Sequence, residues 1–345
     1  MAKTALSIKY RPQTFDDMTE QSAIKDILEN QIKTKTFQHG YLFTGPSGTG
    51  KTTSARIFAS MINDGKGNPI EVDAASNSGV DNIRQIIEDA KRKPLDAEYK
   101  IFIVDECHSL SDSSWQALLK TLEEPPKFTI FIFCTTDPQK IPATILSRVQ
   151  RYNFQKISNE GIVDRLNMIL EKESDEIDNL SCKLNWEQDA LEFISKVSSG
   201  GMRDAITLLD KCLSLSHEVT LENVLKTIGS EDYSTFITFL SALEKKEKEV
   251  SIKVVEDVYN DGKDVKQFMK DFSKFVLEVG KYALYKNFDY ISLPNTLENE
   301  LEQLIDDTLF DVMDFVVSLN NQIKWENDPK TLIELSIFIY CGKEI

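Results

Sequence analysis

The 345-residue chain predicts an α/β module with a parallel sheet and flanking helices, followed by two all-helical parts. Two observations carry that expectation. Short β-branched and aromatic runs alternate with helix-like runs up to about residue 155, the pattern of parallel strands joined by helical crossovers. After about residue 156 strand signals mostly vanish and amphipathic spacing takes over.

Taken in order, Tyr41–Thr44 reads as a buried strand and Thr53–Ile62 as the helix after it. Pro69–Asp73 is a second strand, followed by a helix over Val80–Lys91. Lys100–Val104 is a third, with a helix over Asp112–Leu122, and Thr129–Cys134 is a fourth. Pro125-Pro126 closes the third helix, because proline lacks an N–H and restricts the residue before it. Ile162–Leu170, Ala190–Val197, Asp204–Leu215 and Leu221–Ile228 read as helices of a small domain, with a turn at Ser198–Gly201. Gly229-Ser230 marks a boundary. From Asp232 onward the pattern is again helical, with a loop around Asp289–Pro294. The expected division is 1–156, 157–229 and 230–345.

Between the first strand and its helix lies Gly45-Pro46-Ser47-Gly48-Thr49-Gly50-Lys51-Thr52, which fits G-x-x-x-x-G-K-[ST]. The glycines let backbone N–H groups converge on a polyphosphate at a helix N-terminus. Gly45, Pro46, Ser47, Gly48, Thr49, Gly50, Lys51, Thr52 and Thr53 form the expected cradle. Lys51 reaches the β- and γ-phosphates, and the Thr52 hydroxyl sits on Mg²⁺. Ile101–Glu106 is an apolar strand ending in two carboxylates. Asp105 is placed to hold the metal and Glu106 to polarise the attacking water. Thr135-Thr136-Asp137 ends the next strand, where a polar side chain could orient that water or merely cap a turn. Arg148 is poorly placed for its own nucleotide; it suits one held by a neighbouring subunit, or is an ordinary surface arginine. Arg203, opening a helix in the second part, could meet phosphates, although Asp204 beside it could supply the anion.

Composition bounds the rest. With 41% hydrophobic residues there is material for two or three cores. No apolar run approaches a membrane span, and the N-terminus lacks a signal-peptide core, so a cytoplasmic protein with no membrane partner is expected. The five cysteines (107, 134, 182, 212, 341) are widely spaced and read as buried thiols. Residues 1–155 carry 19 basic and 19 acidic residues, so the whole net charge of −16 lies beyond them. A local basic face at Arg84, Lys91, Arg92 and Lys93 is then allowed, though such a run is usually a solvated helix face.

Together these stretches resemble the AAA+ ATPases, and within them the gamma/tau family of the bacterial DNA polymerase III clamp loader. The resemblance rests on Lys9–Phe15, the phosphate loop, Asp73–Ser76, Asp105-Glu106, Ala117–Pro126, Thr135–Lys140, Ile145–Arg148 and Met202–Ala205, in the family's order over about residues 1–215. It implies an AAA+ module, a helical lid and a helical collar. It also implies a pentameric ring with other clamp-loader subunits, in which ATP-bound subunits open a sliding clamp. Primer–template DNA then triggers hydrolysis and clamp release, and a DNA polymerase is served indirectly. By motif position Thr136 takes the sensor-1 role, Arg148 the trans arginine finger and Arg203 sensor 2, while Tyr10, Arg11 and Pro12 line the adenine site. The family's cysteine zinc module is replaced by Asp64–Asn68, so ATP and Mg²⁺ are expected and zinc is not. Its Ser-Arg-Cys reads Ser147-Arg148-Val149, which keeps the charge. A tau-like extension is not expected, as would suit a compact, phage-like loader.

Asn77, Ser78, Gly79 and Arg84 are the expected DNA contacts, since small polar residues and helix-end N–H groups suit backbone phosphates. The alternative is a capped surface helix. Leu110 and Trp115 could present an apolar surface to the clamp, or Trp115 could pack within its own domain. Three rival functions share the fold: a helicase or branch-migration motor, a non-catalytic loader subunit, and a protein-remodelling ATPase or ATP-switched scaffold. The Leu118–Pro126 run argues against the first, and the intact Lys51, Thr52, Asp105 and Glu106 against the second. DNA-independent ATPase activity indifferent to a clamp would mark the third.

Overall fold

The structure is a computed structural model that describes residues 4–177, 184–228, 231–294, 297–306 and 308–342. The chain divides into two compact units, Met1–Val219 and Thr220–Ile345.

The first unit is built on five parallel strands: β1 (Gly40–Thr44), β2 (Ile70–Asp73), β3 (Lys100–Asp105), β4 (Thr129–Thr135) and β5 (Gln150–Asn153), in the order β2-β3-β4-β1-β5. Side chains alternate across a strand, and the sheet sorts them between two layers. Tyr41, Phe43, Ile101, Ile103, Ile130 and Ile132 pack on one face with Phe58 of α3 (Lys51–Ile62) and Leu28 of α2 (Ser22–Thr34). Leu42, Phe102, Val104, Phe131 and Phe133 pack on the other with Ile83 of α4 (Val80–Ala90). They also meet Trp115, Leu118 and Leu122 of α5 (Asp112–Glu123). Burial on both faces is why β1, β3 and β4 read as unbroken apolar runs.

β5 and α2 were not anticipated. The strand Gln150-Arg151-Tyr152-Asn153 is an edge whose only buried side chain is Tyr152, so it carries no apolar run. Helix α2 buries only Leu28 and has no side-chain cap at Gln21, so neither start signal nor stripe is strong. A short helix α1 (Leu6–Lys9) precedes it, and α6 (Ala143–Leu146) precedes β5.

The same unit continues with α7 (Asn159–Ile177), α8 (Gln188–Val197) and α9 (Met202–Leu215), around Ile162, Leu166, Leu191, Ile194, Leu209 and other buried residues. Two short parallel strands, β6 (Asn185–Trp186) and β7 (Glu218–Val219), pair beside them; two residues each are too few to register as a pattern.

The second unit is helical, α10 to α16: Leu221–Ile228, Glu231–Glu244, Lys248–Asn260, Val265–Tyr285, Glu298–Gln303, Leu309–Ile323 and Pro329–Gly342. Its core is rich in aromatics, with Phe236, Phe239, Phe268, Phe272 and Phe275 in mutual contact. The anticipated boundary at Gly229-Ser230 lies outside the described residues. Cys107, Cys134 and Cys341 are free and buried, Cys212 is buried, and Cys182 lies outside the described residues.

Candidate active site

The carboxyl ends of β1, β3 and β4 lie side by side, with Thr44 opposite Thr135 and Val104 opposite Phe133. The loops that follow these strands therefore converge at one edge of the sheet, where open α/β sheets bind ligands.

The loop after β1 enters α3 through three glycines with positive φ: +142° at Gly45, +72° at Gly48 and +98° at Gly50. At Gly45 a β-carbon would stand 2.3 Å from the Phe154 carbonyl oxygen, so the position admits glycine alone. Lys51 is buried, and its Nζ donates to the carbonyls of Gly45 (2.9 Å) and Pro46 (2.8 Å). Burial pulls its pKa below the ordinary lysine value, opposed by nearby groups including Glu106 and Asp105. A buried ammonium held on backbone carbonyls gains a full counter-charge when an anion arrives.

Thr52 Oγ1 donates to Asp105 Oδ2 at 2.9 Å, so the two expected metal ligands already touch. One hydroxyl and one carboxylate beside a phosphate cradle fit Mg²⁺, which takes hard oxygen donors and completes its shell with phosphate and water. Glu106 follows with φ +46°, and its N–H donates to Asp105 Oδ1 at 3.0 Å. Thr136 Oγ1 lies 3.4 Å from Glu106 Oε2, so the end of β4 does meet the candidate base.

Residues beyond the sheet close the cavity. Met202 N donates to the Gly48 carbonyl at 3.1 Å, and a β-carbon on Gly48 would stand 3.0 Å from the Gly201 Cα. Helix α9 therefore begins directly on the phosphate loop and puts Arg203 on the cavity wall. Tyr10, Arg11 and Pro12 line another part of it. Their segment is tied down: Leu6 N donates to Asp210 Oδ2 (3.0 Å), and Lys9 Nζ and Tyr10 OH meet Glu173 Oε1 at 2.6 and 2.8 Å. The cavity holds about 360 Å³, within the range of small-molecule sites.

Arg165 was not foreseen. It lines the cavity from α7, donating from Nη1 to the Asp17 carbonyl (3.1 Å) and from Nη2 to the Tyr10 carbonyl (2.8 Å). Burial lowers its pKa. A single arginine on a helix face carries no local motif, so only the tertiary structure reveals it.

Arg148 is not among the residues that line this cavity. Its Nη1 donates to the Thr144 carbonyl (2.6 Å) and Ser147 Oγ (3.0 Å), and its Nη2 bonds Glu123. Asn77 and Ser78 are half-buried and Gly79 exposed at the start of α4, where no side chain caps the helix. Arg84 is exposed and pairs with Asp81 at 2.9 Å.

The placement of Leu110 and Trp115 corrects an expectation. Both are buried, and Trp115 packs 5.5 Å from the Phe133 ring. The polar run Ser111–Ser114 does not present them outward: Ser111 caps α5 by accepting from Ser114 N, which turns the helix's apolar stripe onto the sheet. Neither residue offers an apolar surface to a clamp.

A family described as "DNA polymerase III, delta subunit" matches residues 70–158. The tau subunit of DNA polymerase III from Bacillus subtilis is 34% identical, over 99% of this chain and 64% of its own length. The gamma subunit from Buchnera aphidicola of Schizaphis graminum is 30% identical, over 87% of this chain and 86% of its own. The chain spans only 50% of the gamma/tau subunit of Mycoplasma genitalium. Among solved structures, the RuvB Holliday junction branch migration motor of Thermotoga maritima aligns with TM-score 0.51 at 20% identity, covering 68% of this chain and 79% of its own. That last likeness speaks for the fold. With the phosphate loop, the paired acids and near full-length similarity in view, the chain belongs to the gamma/tau family of DNA polymerase III subunits.

Proposed function

We propose that the chain is an ATPase subunit of a sliding-clamp loader, whose ATP site is completed by a neighbouring subunit. One observation carries this. Lys51, the Thr52–Asp105 pair, Glu106 and Arg203 converge on one cavity while Arg148 stays outside it. Bound Mg²⁺ would neutralise charge building on the β- and γ-phosphate oxygens. Lys51 gives up its carbonyl partners for the phosphates, and Thr52 and Asp105 orient toward the metal. Glu106 accepts a proton from the attacking water, and Thr136 steadies its carboxylate. Arg203 meets the phosphates from α9, and the Tyr10–Pro12 segment encloses the base. Arg148 acts on the ATP of the next subunit.

Membership of the family supports the rest: ATP binding opens the clamp, and primer–template DNA triggers hydrolysis and release. Asn77, Ser78 and Gly79, just before α4, and the exposed guanidinium of Arg84 are the proposed backbone-phosphate contacts, with free N–H groups at the start of α4 beside them. No helix among the described residues is long and apolar enough to cross a membrane. The test is an ATPase assay with and without primed DNA, a sliding clamp and partner subunits. Low basal turnover that rises strongly when all are present is expected; no stimulation under any combination would sink the proposal.

A further inference from the structure

Glu106 is held at one oxygen only. Nδ1 of His108 stands 3.3 Å from Glu106 Oε2, and the Thr136 hydroxyl approaches the same oxygen. Oε1 has no hydrogen-bond partner among the described residues. His108 is itself fixed. It sits on the single 3-10 turn Cys107–Ser109, closed by Ser109 N to the Glu106 carbonyl (2.9 Å) and anchored by the buried Cys107. Its Nδ1 also lies 3.1 Å from Thr135 Oγ1, a buried hydroxyl that accepts from Asp137 N at 3.0 Å. A carboxylate oxygen has only lone pairs to offer, so the nitrogen facing it must carry the proton. Hydrogen on Nδ1 would bond Thr135 Oγ1 and set a positive end beside Glu106 Oε2.

We propose that His108 is a positioning residue for Glu106, tying Oε2 to the end of β4 so that Oε1 stays open to the water that attacks ATP. The left-handed backbone at Glu106 (φ +46°) brings the arrangement about, because it turns the chain back as β3 ends and lays His108 against both residues. In the step served, water oxygen bonds to the γ-phosphorus, the bond to the bridging oxygen breaks with its electrons leaving on ADP, and the water proton goes to Oε1. The inference rests on Glu106 being the general base. A carboxylate free to swing loses the alignment on which positioned catalysis depends, and displacements near 1 Å cost about 100-fold.

The test compares His108→Ala and His108→Asn in the full chain, assembled with its partner subunits, clamp and primed DNA. Asparagine places an N–H near the position of Nδ1. His108→Ala should lower kcat about 10- to 100-fold with ATP affinity unchanged, and His108→Asn should recover most of that loss. Wild-type kcat in His108→Ala would overturn the proposal. So would equal loss in both variants, or a parallel loss of ATP affinity, which marks a merely structural histidine. Glu106→Gln separates the underlying assignment: it should bind ATP and not hydrolyse it. Hydrolysis by Glu106→Gln would remove the base, whatever the His108 variants do.

Discussion

Thr52 Oγ1 and Asp105 Oδ2, from the phosphate loop and the end of β3, are joined by a 2.9 Å hydrogen bond. The two proposed metal ligands are thus drawn together in the protein itself, and both oxygens would be available to hold Mg²⁺. Thr52→Val keeps the shape and removes the oxygen. It should raise the Mg²⁺ concentration needed for half-maximal ATP hydrolysis by about 10- to 100-fold, the loss typical of weakened metal-site contacts. A metal titration at fixed ATP reads it directly.

Trp115 is a structural residue. It is 2% exposed against Phe133, and its Nε1 has no hydrogen-bond partner. Trp115→Ala should cost about 3–5 kcal/mol by denaturant unfolding. Trp115→Phe should cost much less, since it removes a donor that bonds to nothing. Equal losses in the two variants would point to a role for the indole N–H.

Arg165 holds the carbonyls of Tyr10 and Asp17 over the cavity. Arg165→Ala should weaken ATP binding by about 10-fold, as loss of a charged hydrogen bond near 1.5 kcal/mol implies, with turnover at saturating ATP nearly unchanged. Arg165→Lys should recover little, because one ammonium cannot replace a fork that spans two carbonyls. Equilibrium ATP titration checks both.

Glu244, in the second unit, is buried with its Oε1 unpartnered. Burial, with Asp306 adding, pushes its pKa up to about 8. The folded state therefore keeps a proton that the unfolded state releases near pH 4.5. Between those values the unfolded state binds fewer protons, so stability falls as pH rises and levels off above about 8. Glu244→Gln, which cannot ionise, should gain stability over wild type as pH rises from about 5 to 8. Melting temperatures that move in parallel across that range would contradict this.

The phosphate loop and Asp105-Glu106 were legible because their chemistry is written in local spacing, and the three central strands β1, β3 and β4 because burial on both faces leaves unbroken apolar runs. The edge strand Gln150–Asn153 was not, since one buried tyrosine in four residues is no pattern. Arg165 was hidden for another reason: its partners are backbone carbonyls about 150 residues away. Trp115 was open to two readings, an apolar surface or packing within its own domain, and the Ser111 cap that accompanies its burial shows only in three dimensions. His108 stood in plain view two residues past Glu106, one of three histidines in the chain. That the turn after Glu106 folds back onto Thr135 could be seen only in three dimensions.

The ATP site is proposed to be completed from outside. Arg148, bonded to Glu123 and Thr144 and absent from its own cavity wall, is the residue that should supply the missing charge. The most direct measurement is ATP binding and DNA- and clamp-stimulated hydrolysis by Arg148→Ala in the assembled complex. ATP binding should survive while stimulated hydrolysis falls by about 10³ or more, the usual worth of an arginine supplied in trans. Lost ATP binding, with hydrolysis per bound ATP unchanged, would contradict the account.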